Sequence, residues 1–163
     1  MKKLIAVLAA LLCLSFAFAE EMPDFKLPDA AGKNVTLQNL LGKGPILIDF
    51  WADYCQPCKE AMPQLNTLAE KYDSLTVVMI SIDAPKNQPK AKNYLKTKNY
   101  KFLTLFDAEK TLAKKLGVVN PPHTFILNNQ GQIVYSHLGY EPGVEKEYEI
   151  HIRSLLGLQT EAE

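Results

Sequence analysis

A run of apolar residues, Pro45-Ile-Leu-Ile-Asp-Phe50, leads without a break into Trp51-Ala-Asp-Tyr-Cys55-Gln-Pro-Cys58. A mostly continuous apolar run of this length reads as a buried central strand. From Pro57 to about Tyr72 the pattern becomes helical, with Ala61, Leu65, Leu68 and Tyr72 on one face. A strand therefore delivers two cysteines, two residues apart, to the start of a helix. That spacing closes a small disulfide ring, and its placement is that of a thiol–disulfide exchange site. The partial positive charge of the helix N-terminus favours thiolate over thiol at Cys55. A thiol pKa lowered from about 8.5 to about 7 raises the thiolate fraction at neutral pH from a few per cent to about half. A zinc half-site has the same spacing, so the motif alone leaves a second reading open.

The N-terminus narrows the setting. Met1-Lys2-Lys3, the apolar stretch Leu4 to Phe18 and the ending Ala17-Phe18-Ala19 match a secretory signal peptide cleaved after Ala19. The alternative is an uncleaved anchor, but the apolar stretch is shorter than the roughly 20 residues a spanning helix needs. Cys13 lies inside this segment after Leu12, where a lipoprotein signal wants a small residue, and reads as apolar filler removed with the leader. Residues 20–163 then form one ordinary domain, long enough for a real core. Its only cysteines are Cys55 and Cys58. An exported domain with a single pair is not using cysteine as a staple framework. Loss of Lys2 and Lys3 tips the balance of 18 basic against 18 acidic side chains to slightly acidic, which gives no reason to expect a nucleic-acid partner. The lysines scattered between 86 and 101 read as a solvated helix face.

Along the rest of the chain, Ala30-Ala-Gly-Lys-Asn34 reads as a turn between two short extended pieces. Pro57 suits the first turn of the helix, and Pro63 inside it is expected to kink it. Leu75–Ile82 reads as a second buried strand, Gln88–Lys98 as a helix, Phe102–Phe106 as a short strand and Glu109–Leu116 as a short helix stopped by Gly117. Thr124–Leu127, the turn Asn128-Asn-Gln-Gly131 and Gln132–Leu138 read as a β-hairpin. Gly143–Leu156 closes the chain as an amphipathic helix. Strands alternating with helices, then a hairpin and a helix, imply an α/β sandwich around a mixed sheet.

These residues together carry a family resemblance. Ile48-Asp-Phe-Trp-Ala-Asp-Tyr-Cys-Gln-Pro-Cys58, Pro63, Pro121-Pro122-His-Thr-Phe and Gly139 resemble a thioredoxin fold. Within it, the entry Pro23-Asp-Phe, Asp29…Gly32-Lys and Leu37…Leu40-Leu-Gly-Lys resemble the exported branch related to TlpA and ResA, which has an N-terminal β-hairpin and a central strand–helix insertion. The resemblance covers nearly the whole of residues 20–163. It implies a periplasmic thiol–disulfide oxidoreductase that exchanges disulfides with protein substrates and uses no cofactor. It also implies a transmembrane thiol reductase as electron donor; a membrane enters otherwise only where residues 1–19 stay uncleaved. By the same resemblance Cys55 is the exposed attacking thiolate, Cys58 the buried resolving thiol and Pro122 the cis-proline opposite them, with Pro121 the other candidate. Asp49 stands where thioredoxins carry a buried acid beneath the cysteines. A carboxyl group there, its pKa raised by burial, can take the Cys58 proton; the alternative is a carboxylate that only supports the strand. Trp51, Tyr54, Pro121 and His123 are the implied substrate-binding residues.

Two departures shape the expectation. Many members of this branch carry Glu three residues after the second cysteine, and here that position is Ala61. Glu60 is one residue early and points about 100° away around the helix. Tyr54 stands where Trp is frequent. Gln-Pro between the cysteines and Asp49 beneath them resemble reducing thioredoxins, which points to a reductant. Other chemistries were weighed on the residues. Cys55, Cys58 and His123 form a conceivable Cu(I) or Zn donor set, the mark of a metal-binding module or metallochaperone. His123 near Cys55 is alternatively a thiolate-stabilising imidazole or a plain strand residue, and His137 and His151 read as surface or packing residues. Lys59 after Cys58 speaks against covalent haem. Ala52, three before Cys55, lacks the hydroxyl that a peroxiredoxin-like site needs.

Overall fold

The computed structural model describes residues 20–158; the leader expected over 1–19 lies outside them. Two strands, β1 (Lys26–Pro28) and β2 (Asn34–Thr36), pair antiparallel as the expected N-terminal hairpin. The core sheet has five strands: β3 (Ile46–Trp51), β4 (Thr76–Ser81), β5 (Leu103–Phe106), β6 (His123–Leu127) and β7 (Ile133–Leu138). Their order is β5-β4-β3-β6-β7. β3 pairs parallel with β4 and antiparallel with β6, so the sheet is mixed. Helices α1 (Gln56–Lys71), α2 (Gln88–Lys96), α3 (Thr111–Lys115) and α4 (Val144–Leu155) complete the chain. This is the thioredoxin-like α/β arrangement, with one extra helix and strand, α2 and β5, between β4 and α3 as the central insertion. Among the described residues no helix is long and apolar enough to cross a membrane.

β3 holds the centre for a simple reason. All six of its residues are buried, and five of them are apolar. A strand covered on both faces and paired on both edges leaves no backbone group without a partner. Side chains alternate between the two faces. Asp49 pairs in register with Thr124, and Trp51 with Ser81. The Asp49 face is covered by helices. Tyr148 of α4 lies close enough to Asp49 to feel its charge. Trp51 meets Tyr94 of α2, ring centroids 6.2 Å apart, and Lys59 of α1 sits 4.8 Å above the same Tyr94 ring. Lys71 and Tyr72, at the end of α1, both bond Glu149 of α4. The other face carries Phe50 edge-on to Phe125, 5.9 Å apart. The N-terminal segment spans the sheet from β7, where Glu21 bridges Gln132, to β5, where Asp29 bridges Leu105. Leu112 of α3 lines a cleft with Phe25 and Leu27 of that segment.

α1 runs without interruption through Pro63, although a proline there removes one hydrogen bond of the ladder. The Thr67 hydroxyl donates to the Pro63 carbonyl at 3.0 Å.

The parallel strands β3 and β4 start side by side, and their close approach depends on one glycine. Gly44 has φ +134°, and a Cβ there would lie 2.2 Å from the backbone oxygen of Ser74. The Thr76 N–H bonds the Pro45 carbonyl at 3.0 Å, so neither backbone can give way. Gly44→Ala is therefore expected to destabilise the protein by about 2 kcal/mol or more, from clash and φ strain together. Urea unfolding of the variant against the parent measures this, and an unchanged midpoint would show that the strand starts can separate.

Candidate functional site

β3 and β4 run parallel, so their carboxyl ends open on the same edge of the sheet. Open α/β sheets place their chemistry at that edge. Here the edge receives the turn Ala52–Cys55, closed by the Cys55 N–H on the Ala52 carbonyl at 3.0 Å. Cys55 is the N-cap of α1, with extended backbone (φ −85°, ψ 101°), and its sulfur accepts the Cys58 N–H at 3.2 Å. A helix start leaves N–H groups without intrahelical partners, and Ser, Thr, Asp or Asn usually supplies the acceptor. Here the reactive sulfur does so. Pro57 follows in the first turn, where its missing N–H is no loss.

Cys55 and Cys58 are joined by a disulfide with Sγ–Sγ 2.00 Å and Cα–Cα 5.4 Å. Cys55 keeps 6% of its surface in solvent and Cys58 none. Both are buried in the disulfide form, so Cys55 is far more covered than an exposed attacking thiolate is expected to be. It is tucked against the turn that leads to it, and Tyr54 beside it stands out, 66% exposed.

Beneath the helix layer, Asp49 is 1% exposed. Its Oδ1 accepts a hydrogen bond from the Thr124 hydroxyl at 2.8 Å, and its Oδ2 has no partner. Burial pushes its pKa up to about 7, against a smaller opposing effect of the Thr124 bond. At neutral pH this carboxyl group is thus poised between its two forms. Burial also raises the Tyr148 phenol, which interacts with Thr124 and Asp49 from α4.

The peptide bond between Pro121 and Pro122 is cis. Pro122 lies one residue before the His123–Phe50 register pair, beside the strand end that carries the cysteine turn. Its carbonyl accepts the Gly139 N–H at 2.8 Å. Pro121 is partly exposed and Pro122 buried.

Two of the expected binding residues sit elsewhere than expected. Trp51 is fully buried, because it ends the central strand facing α2 and packs on Tyr94. It is a wall behind the site and not a contact surface. His123 alternates to the face opposite Thr124 and stacks on Phe125, ring centroids 4.3 Å apart. Burial, with a smaller contribution from His137, lowers its pKa and so disfavours the imidazolium. Among the described residues no three His, Cys, Asp or Glu side chains are gathered as a metal site, and Cys55 and Cys58 are joined to each other. His137 and His151 pack with Tyr135 between β7 and α4.

The structure adds residues that the sequence reading passed over. Thr124 was seen only as part of a motif. Ser81 and Asp83 follow the buried run Val77–Ile80 and form a polar knot behind the cysteine turn: Asp83 Oδ2 accepts from the Asp53 N–H and from the Ser81 hydroxyl, each at 2.9 Å. The signal was present as polar residues ending a buried strand next to the motif strand.

Comparison with known proteins agrees with this geometry. The AhpC/TSA family profile matches residues 18–136. The thiol-disulfide oxidoreductase ResA of Bacillus thuringiensis subsp. konkukian is 32% identical over 115 residues, 71% of this chain and 66% of its own length. The chain thus spans about two thirds of that relative. The thioredoxin-like protein YneN of Bacillus subtilis is 31% identical over 135 residues, 82% of this chain and 78% of its own. A solved Chlorobium tepidum structure assigned as the thiol:disulfide interchange protein DsbE superposes with a TM-score of 0.78 at 29% identity, covering 85% of this chain and 97% of that one. The chain belongs to the thioredoxin-like AhpC/TSA family.

Asp49 carries a stability signature with a definite sign. Its folded pKa, about 7, lies above the ordinary 3.8. The folded state therefore binds the proton more tightly than the unfolded chain. That contribution is fully present below about pH 3.8 and is lost as pH rises through about 7. The full loss is on the order of 4 kcal/mol, at about 1.4 kcal/mol per unit. Asp49→Asn removes the titration. The stability of the Asn variant relative to the parent is expected to climb between pH 4 and pH 8, as followed by denaturant unfolding across that range. A difference that stays flat with pH would mean that Asp49 is not held protonated.

Proposed function

We propose that this member of the thioredoxin-like AhpC/TSA family works as an exported reductant of protein disulfides, with Cys55 attacking and Cys58 resolving. The observation that carries the division of labour is the asymmetry of the pair. Cys55 caps α1 at the rim, and Cys58 is sealed above a sheet that holds a half-ionised carboxyl group.

In the reduced protein, the Cys58 N–H and the helix N-terminus favour a thiolate on Cys55. That thiolate attacks one sulfur of a substrate disulfide. A bond forms between Cys55 Sγ and that sulfur, the substrate S–S bond breaks, and the other substrate sulfur leaves as thiolate and takes a proton from water. Cys58 then loses its proton to Asp49 and attacks Cys55 Sγ. The Cys55–Cys58 disulfide forms, the mixed disulfide breaks, and the second substrate sulfur leaves. Two electrons have passed from the dithiol to the substrate. A base with a pKa near neutrality is well matched to take and return such a proton. Tyr54, Pro121 and Pro122 border the turn that the substrate must approach, which supports a contact role for them. A dithiol donor, which the resemblance makes a membrane thiol reductase, returns the pair to the reduced state. Residues 1–19 serve as the export signal, cleaved after Ala19.

Purified residues 20–163 are expected to catalyse insulin reduction by dithiothreitol. Cys55→Ser should abolish it, and Cys58→Ser should accumulate a substrate adduct on Cys55. Unchanged activity in the Cys55→Ser protein would sink this reading. The direction is tested by equilibration with glutathione. A reductant is expected to have a potential nearer the about −270 mV of thioredoxin than the about −120 mV of a strong oxidant such as DsbA.

A further inference from the structure

Behind the cysteine turn lies a buried carboxyl group that the exchange chemistry does not use. Asp83 follows β4 and is 1% exposed. Its Oδ2 accepts the Asp53 N–H at 2.9 Å and the Ser81 hydroxyl at 2.9 Å. Its own N–H donates to Ser81 Oγ at 3.2 Å, and its Oδ1 has no partner. Ser81 is fully buried and pairs in register with Trp51, and the Ile82 N–H bonds the Trp51 carbonyl at 2.9 Å. The end of β4 therefore grips the end of β3 on both sides of the strand–turn junction.

Asp53 is the first residue inside the turn Ala52–Cys55. It is held twice: its backbone N–H by Asp83, and its carboxylate by Lys59 Nζ at 3.2 Å. The Lys59 pair is partly exposed, and such pairs contribute little. The Asp83 bond holds the backbone itself and is part-buried on a side chain that is 1% exposed, which makes it the stronger tether. Two residues beyond Asp53, Cys55 turns its sulfur to the Cys58 N–H. The hydrogen bond that favours the thiolate thus depends on where the turn is held.

We propose that Asp83 is a positioning residue for the thiol chemistry: by clamping the Asp53 N–H it fixes the Ala52–Cys55 turn, and so holds Cys55 Sγ on the first turn of α1 where the thiolate is favoured. The role rests on the reading of Cys55 as the attacking sulfur. It belongs to the hydrogen bond and not to the charge, since an amide oxygen at the same place can accept the same N–H.

Three variants and one measurement on the parent test this. The pH profile of Cys55 alkylation by iodoacetamide is taken on the reduced protein, in a Cys58→Ser background so that one thiol reports. Asp83→Ala is expected to slow alkylation about five-fold at pH 7, an upward move of about one unit in a thiol pKa near 7. Asp83→Asn should restore a profile within about two-fold of the parent, as expected when acceptance of one hydrogen bond is what matters. In the reduced parent, the Asp53 amide should be protected from hydrogen exchange, and Asp83→Asn should keep that protection. The proposal falls if the Asp53 amide exchanges like an open one, if Asp83→Ala keeps the parent profile, or if Asp83→Asn loses as much as Asp83→Ala. Should Asp83→Ala fail to fold, the exchange measurement and Asp83→Asn decide alone. Cys55→Ser separates the two ideas. Exchange activity surviving in it overturns the assignment of Cys55, whereas an inactive Cys55→Ser protein beside an unaltered Asp83→Ala profile overturns only the role of Asp83.

Discussion

Everything at the site hangs from the carboxyl end of one strand. β3 is covered on both faces and paired along both edges, with β4 on one side and β6 on the other. A strand so enclosed cannot shift register by one residue without moving Asp49 and Trp51 to the opposite face. Its end is therefore a fixed point. The turn Ala52–Cys55 starts from that point, and α1 starts from the turn. Two neighbours hold the same end, β4 through Ser81 and Asp83, β6 through the approach to Pro122. The accuracy with which Cys55 is placed is inherited from the sheet and not generated by the loop, in keeping with reactive groups that work best on rigid elements.

The same enclosure explains the acid. In an apolar strand a carboxyl group with one hydrogen bond is poorly solvated, and the neutral form wins until about pH 7. The Thr124 hydroxyl offsets only part of the burial. A better-satisfied Asp49, with a donor on Oδ2 as well, would be a weaker base and a more stable neighbour for the sheet. Stability has been given up at the place where a proton acceptor is useful, which is the usual pattern when a buried polar group is left incompletely partnered.

Much of this was legible in the sequence, because the signals were periodicities and special residues. The continuous apolar run marked β3, the 3.6-residue spacing of Ala61, Leu65 and Leu68 marked the buried face of α1, and Asn128-Asn-Gln-Gly131 marked the turn between β6 and β7. The cysteine pair was found through its spacing after one strand and at the start of one helix, and Asp49 through the resemblance to thioredoxins. What stayed hidden depended on contacts between distant segments. Trp51 looked like a surface aromatic because it adjoins the motif, but the pleat turns it towards Tyr94 of α2, 43 positions away in a different element. His123 looked close to the sulfur because it follows the proline pair, but the same alternation sends it to the far face against Phe125. The grip of Asp83 on Asp53 spans 30 positions, and no local pattern announces it.

The placement of the acid separates this chain from the exported branch it resembles. A Glu at position 61 would project from α1, and here that position holds a buried Ala, which offers no acid. Glu60 is no substitute, since it lies on the exposed side of α1 and accepts a hydrogen bond from Gln56. In the proposed exchange the burden of proton transfer therefore falls on the sheet side. An acid on the helix would move with any motion of α1 during exchange. Asp49 is fixed in β3 and bonded across to β6 through Thr124, so its environment changes only when the charge on the sulfurs above it changes. In the proposed exchange, a thiolate formed near Asp49 would favour its protonated form by like-charge repulsion, and closing the disulfide would remove that charge. On that proposal, proton and electron transfer meet at one buried carboxyl group, and the apolar strand around it is what keeps its neutral form accessible near pH 7.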